Sequence, residues 1–275
     1  ARAAAERPAL RVRRELFLKS PRAGVTLLAS SFYTRPTGGD LMSRHSYLTQ
    51  SDTANHAFRR FSRDHGRTWS EPEEVMTAEQ RPGGMFRRGA PAQLVDPTTG
   101  TLIEFRIEGL FADDHPLARL RGWAIHTALS DDGGRTWHGE TPVIHSGAEY
   151  SAAHPLPGVW TGKNCAFIGD KTCVPIALPD GTILMPIQIA PLGADGKLHN
   201  PAGGYTYTHA AVLRGHWGTA KKLTWEMSAP IEADPALSTR GMIEPTIAPL
   251  ADGRLIMVLR GSNDRKPALF GARWV

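Results

Sequence analysis

The chain has 275 residues, 41% of them apolar, with 28 glycines and 21 prolines. This composition is ordinary for a globular core and excludes a disordered chain, while the many glycines and prolines favour short strands joined by turns. The sequence contains no apolar run of the roughly 18 residues that a transmembrane helix needs, so it predicts no membrane span.

The formal charge of +5 comes mostly from arginine, because only 7 of the 32 Lys and Arg residues are lysines. The arginines are spread over predicted strands and turns, without a basic helix or an aromatic-basic stripe, so we expect no nucleic acid as a partner. The first 14 residues are rich in Ala and Arg, lack the apolar core of a signal peptide and begin without Met. We interpret them as the edge of a cut or processed segment.

The predicted strands fall into four successive units along the chain. In the first unit they cover residues 14–20, 25–33, 56–61 and 73–76, and a polar loop covers residues 34–55. In the second unit they cover residues 90–96, 101–107, 123–129 and 141–144. The third and fourth units are shorter, with predicted strands over residues 173–178, 182–189, 205–213, 246–250, 254–259 and 269–275. Such short strands and turns, repeated along the chain, are typical of an all-β domain built from repeated sheets.

One motif occurs twice, at the predicted turn between the third and fourth strands of the first two units. Both copies follow the pattern Ser-x-Asp-x-Gly-x-Thr-Trp, with Ser62, Asp64, Gly66, Thr68 and Trp69 in the first copy and Ser130, Asp132, Gly134, Thr136 and Trp137 in the second. In a turn the carboxylate can accept backbone N–H bonds, the glycine supplies a positive φ and the hydroxyls satisfy further backbone groups. We expect both tryptophans to be largely buried between neighbouring sheets.

This motif resembles the Asp-box of the sialidase superfamily, whose β-propellers are built from BNR repeats. The resemblance covers the chain from Arg14 to Arg260 and implies an all-β, sialidase-like β-propeller that is six-bladed in the family. The chain would hold roughly three and a half to four of those blades. Residues 1–275 would then be a single domain that is incomplete at its C-terminal end. Because the Asp-box lies away from the family's active site, it predicts the fold more directly than the activity.

A glutamate and an arginine of the fourth unit resemble two site residues of this family. Glu244, in the sequence Ile-Glu-Pro, and Arg260 lie sixteen residues apart across a predicted Asp-Gly hairpin turn. In an antiparallel pair this separation can bring them to the same end of the unit. The resemblance implies that Glu244 acts beside a tyrosine nucleophile and that Arg260 binds a substrate carboxylate. A surface salt bridge is the alternative interpretation.

Two further site residues are implied by the resemblance. Asp52, ten residues before the first box, resembles the family's general acid/base, and Asp40, after two glycines, is the alternative acid. Arg14 stands ten residues before Gly24, as the family's first carboxylate-binding arginine does, although Glu-Leu follows it in place of Ile-Pro. Each of these could instead be an ordinary turn or surface residue.

The tyrosine nucleophile and a third arginine are expected beyond Val275, and Tyr205 and Tyr207 are interpreted as packing residues. Cys165 and Cys173 flank a predicted turn and could form a hairpin disulfide or two buried thiols. The histidines show no metal-ligand spacing, so we predict no metal and no cofactor.

The implied function is an exo-acting, sialidase-like glycoside hydrolase that removes a terminal acidic sugar, sialic acid, from glycans. Sialidases use a tyrosine nucleophile in place of the usual carboxylate pair. The alternatives are a non-catalytic propeller that binds glycans or proteins and a propeller lyase that acts on uronate polysaccharides. We expect a glycan partner with a terminal acidic sugar, and the resemblance favours a secreted or periplasmic location. The 275-residue chain by itself is expected to be inactive because it lacks the nucleophile.

Overall fold

The computed structural model describes residues 12, 14–169, 171–219 and 222–262. Within these ranges the chain forms strands and loops with no α-helix, and a short 3₁₀ helix covers Ala118–Arg121. In chain order the strands are β1 Thr26–Tyr33, β2 Leu41–Gln50, β3 Thr53–Ser62, β4 Glu73–Val75, β5 Ala78–Arg81, β6 Gly84–Val95, β7 Leu102–Phe111, β8 Ala124–Ser130, β9 His138–Pro142, β10 Ala166–Phe167, β11 Ile176–Ala177, β12 Ile183–Ile189, β13 His209–Trp217, β14 Leu223–Met227, β15 Ile243–Pro249 and β16 Leu255–Arg260. The all-β prediction is confirmed.

The strands form four antiparallel sheets that follow one another along the chain. Blade 1 has the order β1-β2-β3-β4 and blade 2 the order β5-β6-β7-β8-β9. Blade 3 has the order β10-β12-β13-β14, with β11 also paired to β12, and blade 4 is the hairpin of β15 and β16. Successive antiparallel sheets of about four strands are the repeating unit of a β-propeller, and blade 4 shows only two of its strands within the described residues.

Blade 1 differs from the prediction at two places. Residues 14–20 form no strand, and the predicted polar loop over residues 34–55 contains the ten-residue strand β2. This strand was hidden by its polar side chains, several of which are buried. Arg44 of β2 donates a 2.5 Å bond to the buried carboxylate of Glu104 in blade 2.

The later units match the prediction less closely at their ends. The predicted strand over residues 205–213 begins only at His209, and the additional strand β14 pairs with β13. The predicted strand over residues 269–275 lies outside the described residues. Cys165 and Cys173 are both buried and are not joined in a disulfide, so the buried-thiol alternative holds. Burial raises the pKa of the Cys165 thiol above its usual range.

The two faces of β7 pack against different surroundings. Phe105 and Ile107 point into an apolar core shared by blades 2 and 3, where Phe105 meets the ring of Trp225 at 5.4 Å. The alternate residues Glu104 and Arg106 lie on the opposite face, as the two-residue period of a strand requires. That face carries buried ion pairs and borders the cavity described below.

Both copies of the Ser-x-Asp-x-Gly-x-Thr-Trp motif form the turn between the last two strands of a blade, as predicted. Each aspartate accepts a 2.9 Å bond from the backbone N–H of the motif threonine and a 2.6 Å bond from its hydroxyl. Each serine hydroxyl donates to the aspartate at 2.8 Å and accepts the N–H of the motif glycine. Hydrogen bonds from Thr68 and Ser62 hold the pKa of Asp64 at about 2, well below its usual 3.8.

Both motif tryptophans are mostly shielded from solvent without being fully buried, which agrees with the prediction. Trp69 folds back over its own turn, donates its indole N–H to Gly66 O at 2.9 Å and meets the ring of Phe17 at 5.2 Å. Trp137 packs at the margin of a small cluster around Met42. Trp69 therefore packs over its own turn, and Trp137 packs against a small cluster that blades 1 and 2 share.

No helix in the described part of the chain is long and apolar enough to cross a membrane. In the same ranges, no three His, Cys, Asp or Glu side chains come together as metal ligands would.

Candidate functional site

A cavity of about 590 Å³ lies between the blades and is lined by residues from all four of them. This volume is within the range of small-molecule sites. The cavity is unusually rich in charge, and its charged lining residues are Arg44, Asp52, Arg87, Arg88, Glu104, Arg106, Arg119, Lys171, Arg240 and Glu244. Two predicted site residues, Asp52 and Glu244, are among them, although they are far apart in the sequence.

Asp52 reaches the cavity from the tight turn between β2 and β3. It has a positive φ of 56°, its side chain is exposed, and the Ser51 hydroxyl donates to its carboxylate at 3.1 Å. The neighbouring Thr53 hydroxyl accepts a 2.7 Å bond from the buried guanidinium of Arg119. Burial lowers the pKa of Arg119, while the nearby carboxylates of Asp114 and Asp52 oppose that shift. The turn therefore places an accessible carboxylate beside a buried arginine.

Glu244 enters the cavity from a β-bulge at the start of β15. The register skips two residues between Ile243 and Thr246, and the bulge gives Glu244 a positive φ of 52°. Its carboxylate accepts a 2.6 Å bond from Arg260, and its backbone N–H donates to the side-chain oxygen of Gln188 at 2.9 Å. The structure thus brings the predicted Glu244 and Arg260 together.

Strained backbone is concentrated at the cavity. Among the described residues, four that are not glycine have a positive φ, and three of these, Asp52, Ala90 and Glu244, line the cavity. The fourth is His65 in the first box. A side chain in this region costs of the order of 1–3 kcal/mol and persists only where its surroundings enforce it, which happens most often at functional sites. The strain supports the cavity as the site independently of its charge.

Ala90 and Glu244 occupy equivalent positions in blades 2 and 4. Each stands before a proline in the first long strand of its blade, and each is part of a bulge where two residues face one on the next strand. Ala90 has a φ of 44° and places only a methyl group at this position. The bulge is therefore a shared feature of the blades, and the carboxylate is specific to blade 4.

Most cavity arginines are paired with carboxylates. The pairs are Arg44 with Glu104, Arg87 with Asp114, Arg88 with Glu108, Arg106 with Glu104, Glu108 and Glu140, and Arg119 with Asp114. Burial disfavours the ionised carboxylate of Glu108, but its bond from Arg106 and the nearby arginine charges hold its pKa below the usual value. These arginines are committed to the protein's own carboxylates.

Arg240 differs from the other cavity arginines. It donates to the Thr206 hydroxyl at 3.0 Å, and its guanidinium lies 5.6 Å from the ring centre of Tyr205. Within the described ranges it has no carboxylate partner, so its charge is available to an anionic ligand. Arg240 was not predicted because it lies in an irregular segment, where its position four residues before Glu244 is the only local signal.

The two tyrosines that were interpreted as packing residues have different surroundings. Tyr207 is buried and donates its hydroxyl to Ala233 O at 2.8 Å, as a packing residue would. Tyr205 lines the cavity and is 48% exposed, so the packing interpretation is wrong for it. It precedes β13 and lies in irregular chain, where strand alternation does not apply.

The structure places the remaining predicted residues away from the cavity lining. Asp40 lies beside the first box, 3.7 Å from Arg35, at the opposite end of β2 from Asp52. Ten extended residues separate the two acids by roughly 33 Å along the strand. Arg14 is exposed and is not among the described residues that line the cavity. Arg260 is half-exposed and reaches the site through Glu244.

Residues 57–269 match the model of the BNR repeat-like domain family. A sialidase of Micromonospora viridifaciens is 33% identical over 120 residues, which is 42% of this chain and 17% of that protein.

Two solved structures have a similar fold. The Hadza microbial sialidase Hz136 has a TM-score of 0.57 and 19% identity, covering 86% of this chain and 42% of that one. The NanB sialidase of Streptococcus pneumoniae has a TM-score of 0.54 and 12% identity, covering 95% of this chain and 54% of that one. At such low identity these matches show the fold alone, and they confirm the sialidase-like propeller. The chain spans about half or less of the length of these relatives.

Proposed function

The chain belongs to the BNR repeat-like domain family, and from that premise we propose that it carries part of the site of a sialidase-like glycoside hydrolase. The enzyme would remove a terminal acidic sugar, sialic acid, from glycans. The observation that supports this most strongly is the convergence of Asp52 and Glu244 on one arginine-rich cavity of about 590 Å³. The names of the similar proteins support the same class of substrate.

We assign the role of general acid/base to Asp52. Cleavage of a glycosidic bond requires a proton on the departing oxygen, and a positioned carboxyl group can supply it and then take a proton from water. Asp52 is exposed at the turn between β2 and β3, so a substrate could reach it from solvent. We favour Asp52 over Asp40, because Asp40 lies at the other end of β2 and is not among the residues that line the cavity.

Glu244 would act as the base for a tyrosine nucleophile. Its carboxylate is held in place by a 2.6 Å bond from Arg260, and a carboxylate in that position can accept the phenol proton. A tyrosine avoids placing a full negative charge against a substrate carboxylate. The resemblance implies a tyrosine in a blade outside this chain, and that stays a prediction. Tyr205 is the tyrosine among the described cavity residues, and Tyr205→Phe tests the other possibility.

The substrate carboxylate would bind to arginine. Arg240 lines the cavity with its charge unpaired among the described residues, and it can present two N–H groups to a carboxylate. Arg260 donates one N–H to Glu244 and has four further N–H donors that could bind the substrate carboxylate. The role of Arg14 stays a prediction from the resemblance.

The proposal is tested with the full-length protein on an aryl sialoside, a neutral aryl glycoside and a uronate polysaccharide. We expect release of the aryl group from the sialoside and none from the neutral glycoside. Binding of sialosides without cleavage would support the non-catalytic alternative. An unsaturated uronate product would support the lyase. The 275-residue chain, assayed in parallel, is expected to be inactive.

A further inference from the structure

We propose that Gln188 is a positioning residue that holds Glu244 in its strained conformation through the side-chain amide. The inference rests on the proposed function, because it concerns the residue assigned there as the base. Gln188 lies on β12 of blade 3, and Glu244 lies in the bulge of blade 4. The amide therefore joins two blades at the cavity.

Both ends of the Gln188 amide are used. Its oxygen accepts the backbone N–H of Glu244 at 2.9 Å, and its nitrogen donates to the Thr208 hydroxyl at 3.0 Å. The Thr208 hydroxyl in turn donates to Met242 O at 2.8 Å, two residues before Glu244. Gln188 and Thr208 are buried, with exposures of 4% and 0%, so solvent cannot readily replace these bonds. The network therefore bonds to the backbone at Met242 and at Glu244, on either side of Ile243.

The backbone of Glu244 needs such support for two reasons. A residue with a side chain avoids a positive φ, and a residue before proline is normally extended. Glu244 has a φ of 52° and precedes Pro245. Without an acceptor, its N–H would be left unpaired beside a buried neighbour, and the residue would gain by relaxing to an extended conformation.

Glycines stand where a side chain would collide with Gln188 or with the backbone of Thr208. A Cβ atom on Gly169 would lie 1.7 Å from the Gln188 oxygen, and one on Gly241 would lie 2.1 Å from Thr208 O. Gly169 therefore leaves the space that the Gln188 amide occupies, and Gly241 lets the backbone pass close to Thr208. Relaxation of Glu244 would turn its side chain away from Arg260, because φ sets the direction in which the side chain leaves the strand.

The test is the Gln188→Met variant of the full-length protein, which keeps the side-chain length and removes both bonds. We expect kcat on an aryl sialoside to fall about 10- to 100-fold with KM within about 3-fold, since misplacing a reacting group affects turnover more than binding. Thr208→Val should give a smaller loss, and Thr208→Ser, which keeps the hydroxyl, should restore near-normal turnover. In a Glu244→Ala background, Gln188→Met should cause no further loss of kcat.

A crystal structure of the Gln188→Met variant gives a readout that does not depend on activity. We expect the φ of Glu244 to become negative and the 2.6 Å contact with Arg260 to be lost. A φ that stays near 52° with the contact intact would overturn the inference, as would a full further loss of kcat in the Glu244→Ala background. If Gln188→Met does not fold, the structure of Gln188→Asn, which keeps the amide but draws it back from the Glu244 N–H, decides by the same criterion. An inactive wild-type protein would remove the proposed function and leave this structural test in force.

Discussion

The carboxylates of the two boxes and those of the cavity have opposite surroundings. Asp64 and Asp132 each accept bonds from the serine, the threonine hydroxyl and the threonine N–H of their own loop. Asp52 accepts one bond from a neighbouring serine hydroxyl, and Glu244 is bound by Arg260. The box carboxylates are therefore used to fix a turn. Asp52 and Glu244 keep acceptor capacity for a substrate.

Asp52 and Glu244 should matter for activity, and the box carboxylates for stability. The largest effect is expected for Asp52→Ala, which should lower kcat about 10²- to 10⁴-fold because a general acid is lost. The loss should be greatest for aryl sialosides with poor leaving groups, whose oxygen depends most on protonation. Asp40→Ala is the matched control, and it should leave kcat unchanged. Equal losses in both variants would break the assignment.

Arg260 and Arg240 should respond differently to replacement by lysine. Arg260→Lys should lower kcat and raise KM on an aryl sialoside, because the planar fork serves both Glu244 and the substrate carboxylate. Arg240→Lys should mainly raise KM, by about 10-fold, because Arg240 does not contact Glu244 directly in the described structure. Identical profiles for the two variants would contradict separate roles.

Substitutions in the boxes should lower the stability of the fold. Ser130→Ala removes the acceptor of a 2.8 Å bond from the buried Gly134 N–H, which should lower the free energy of unfolding by about 1–3 kcal/mol. Ser51→Ala removes an exposed donor to Asp52 and should leave stability within about 0.5 kcal/mol of wild type. Denaturant unfolding measures both values. A box variant as stable as wild type would mean that the motif does not fix its turn.

The smallest expected effect is the pH dependence of the first box. The folded pKa of Asp64 is about 2 against a usual 3.8, so it binds fewer protons when folded. Its contribution to stability is therefore present above pH 3.8 and is lost as the pH falls towards 2. The difference in melting temperature between wild type and Asp64→Asn should shrink from pH 7 to pH 2. A constant difference would show that the charge of Asp64 does not matter.

The same contrast explains what could be predicted from the sequence. The boxes are local, since every hydrogen bond of Asp64 comes from within four residues, and five fixed positions made them recognisable. Strand β2 was missed because the partner of Arg44 is Glu104, sixty residues away. A polar strand of this kind resembles a loop until its partners are known.

The cavity depended on distant contacts as well. Glu244 was predicted from a pattern that includes its proline, but Gln188 lies 56 residues away and carries no local signal. Arg240 and Tyr205 line the cavity from segments outside the strands. In such segments no sequence periodicity predicts where a side chain points. Their positions follow from how the blades pack, which the sequence pattern does not specify.

The most direct test of the account is a crystal structure of the full-length protein with a sialic-acid analogue. The account predicts that the analogue occupies the cavity of about 590 Å³, with its carboxylate on Arg240 and Arg260 and its glycosidic carbon facing Asp52 and Glu244. An analogue bound elsewhere, or bound in the cavity with its carboxylate away from both arginines, would contradict it.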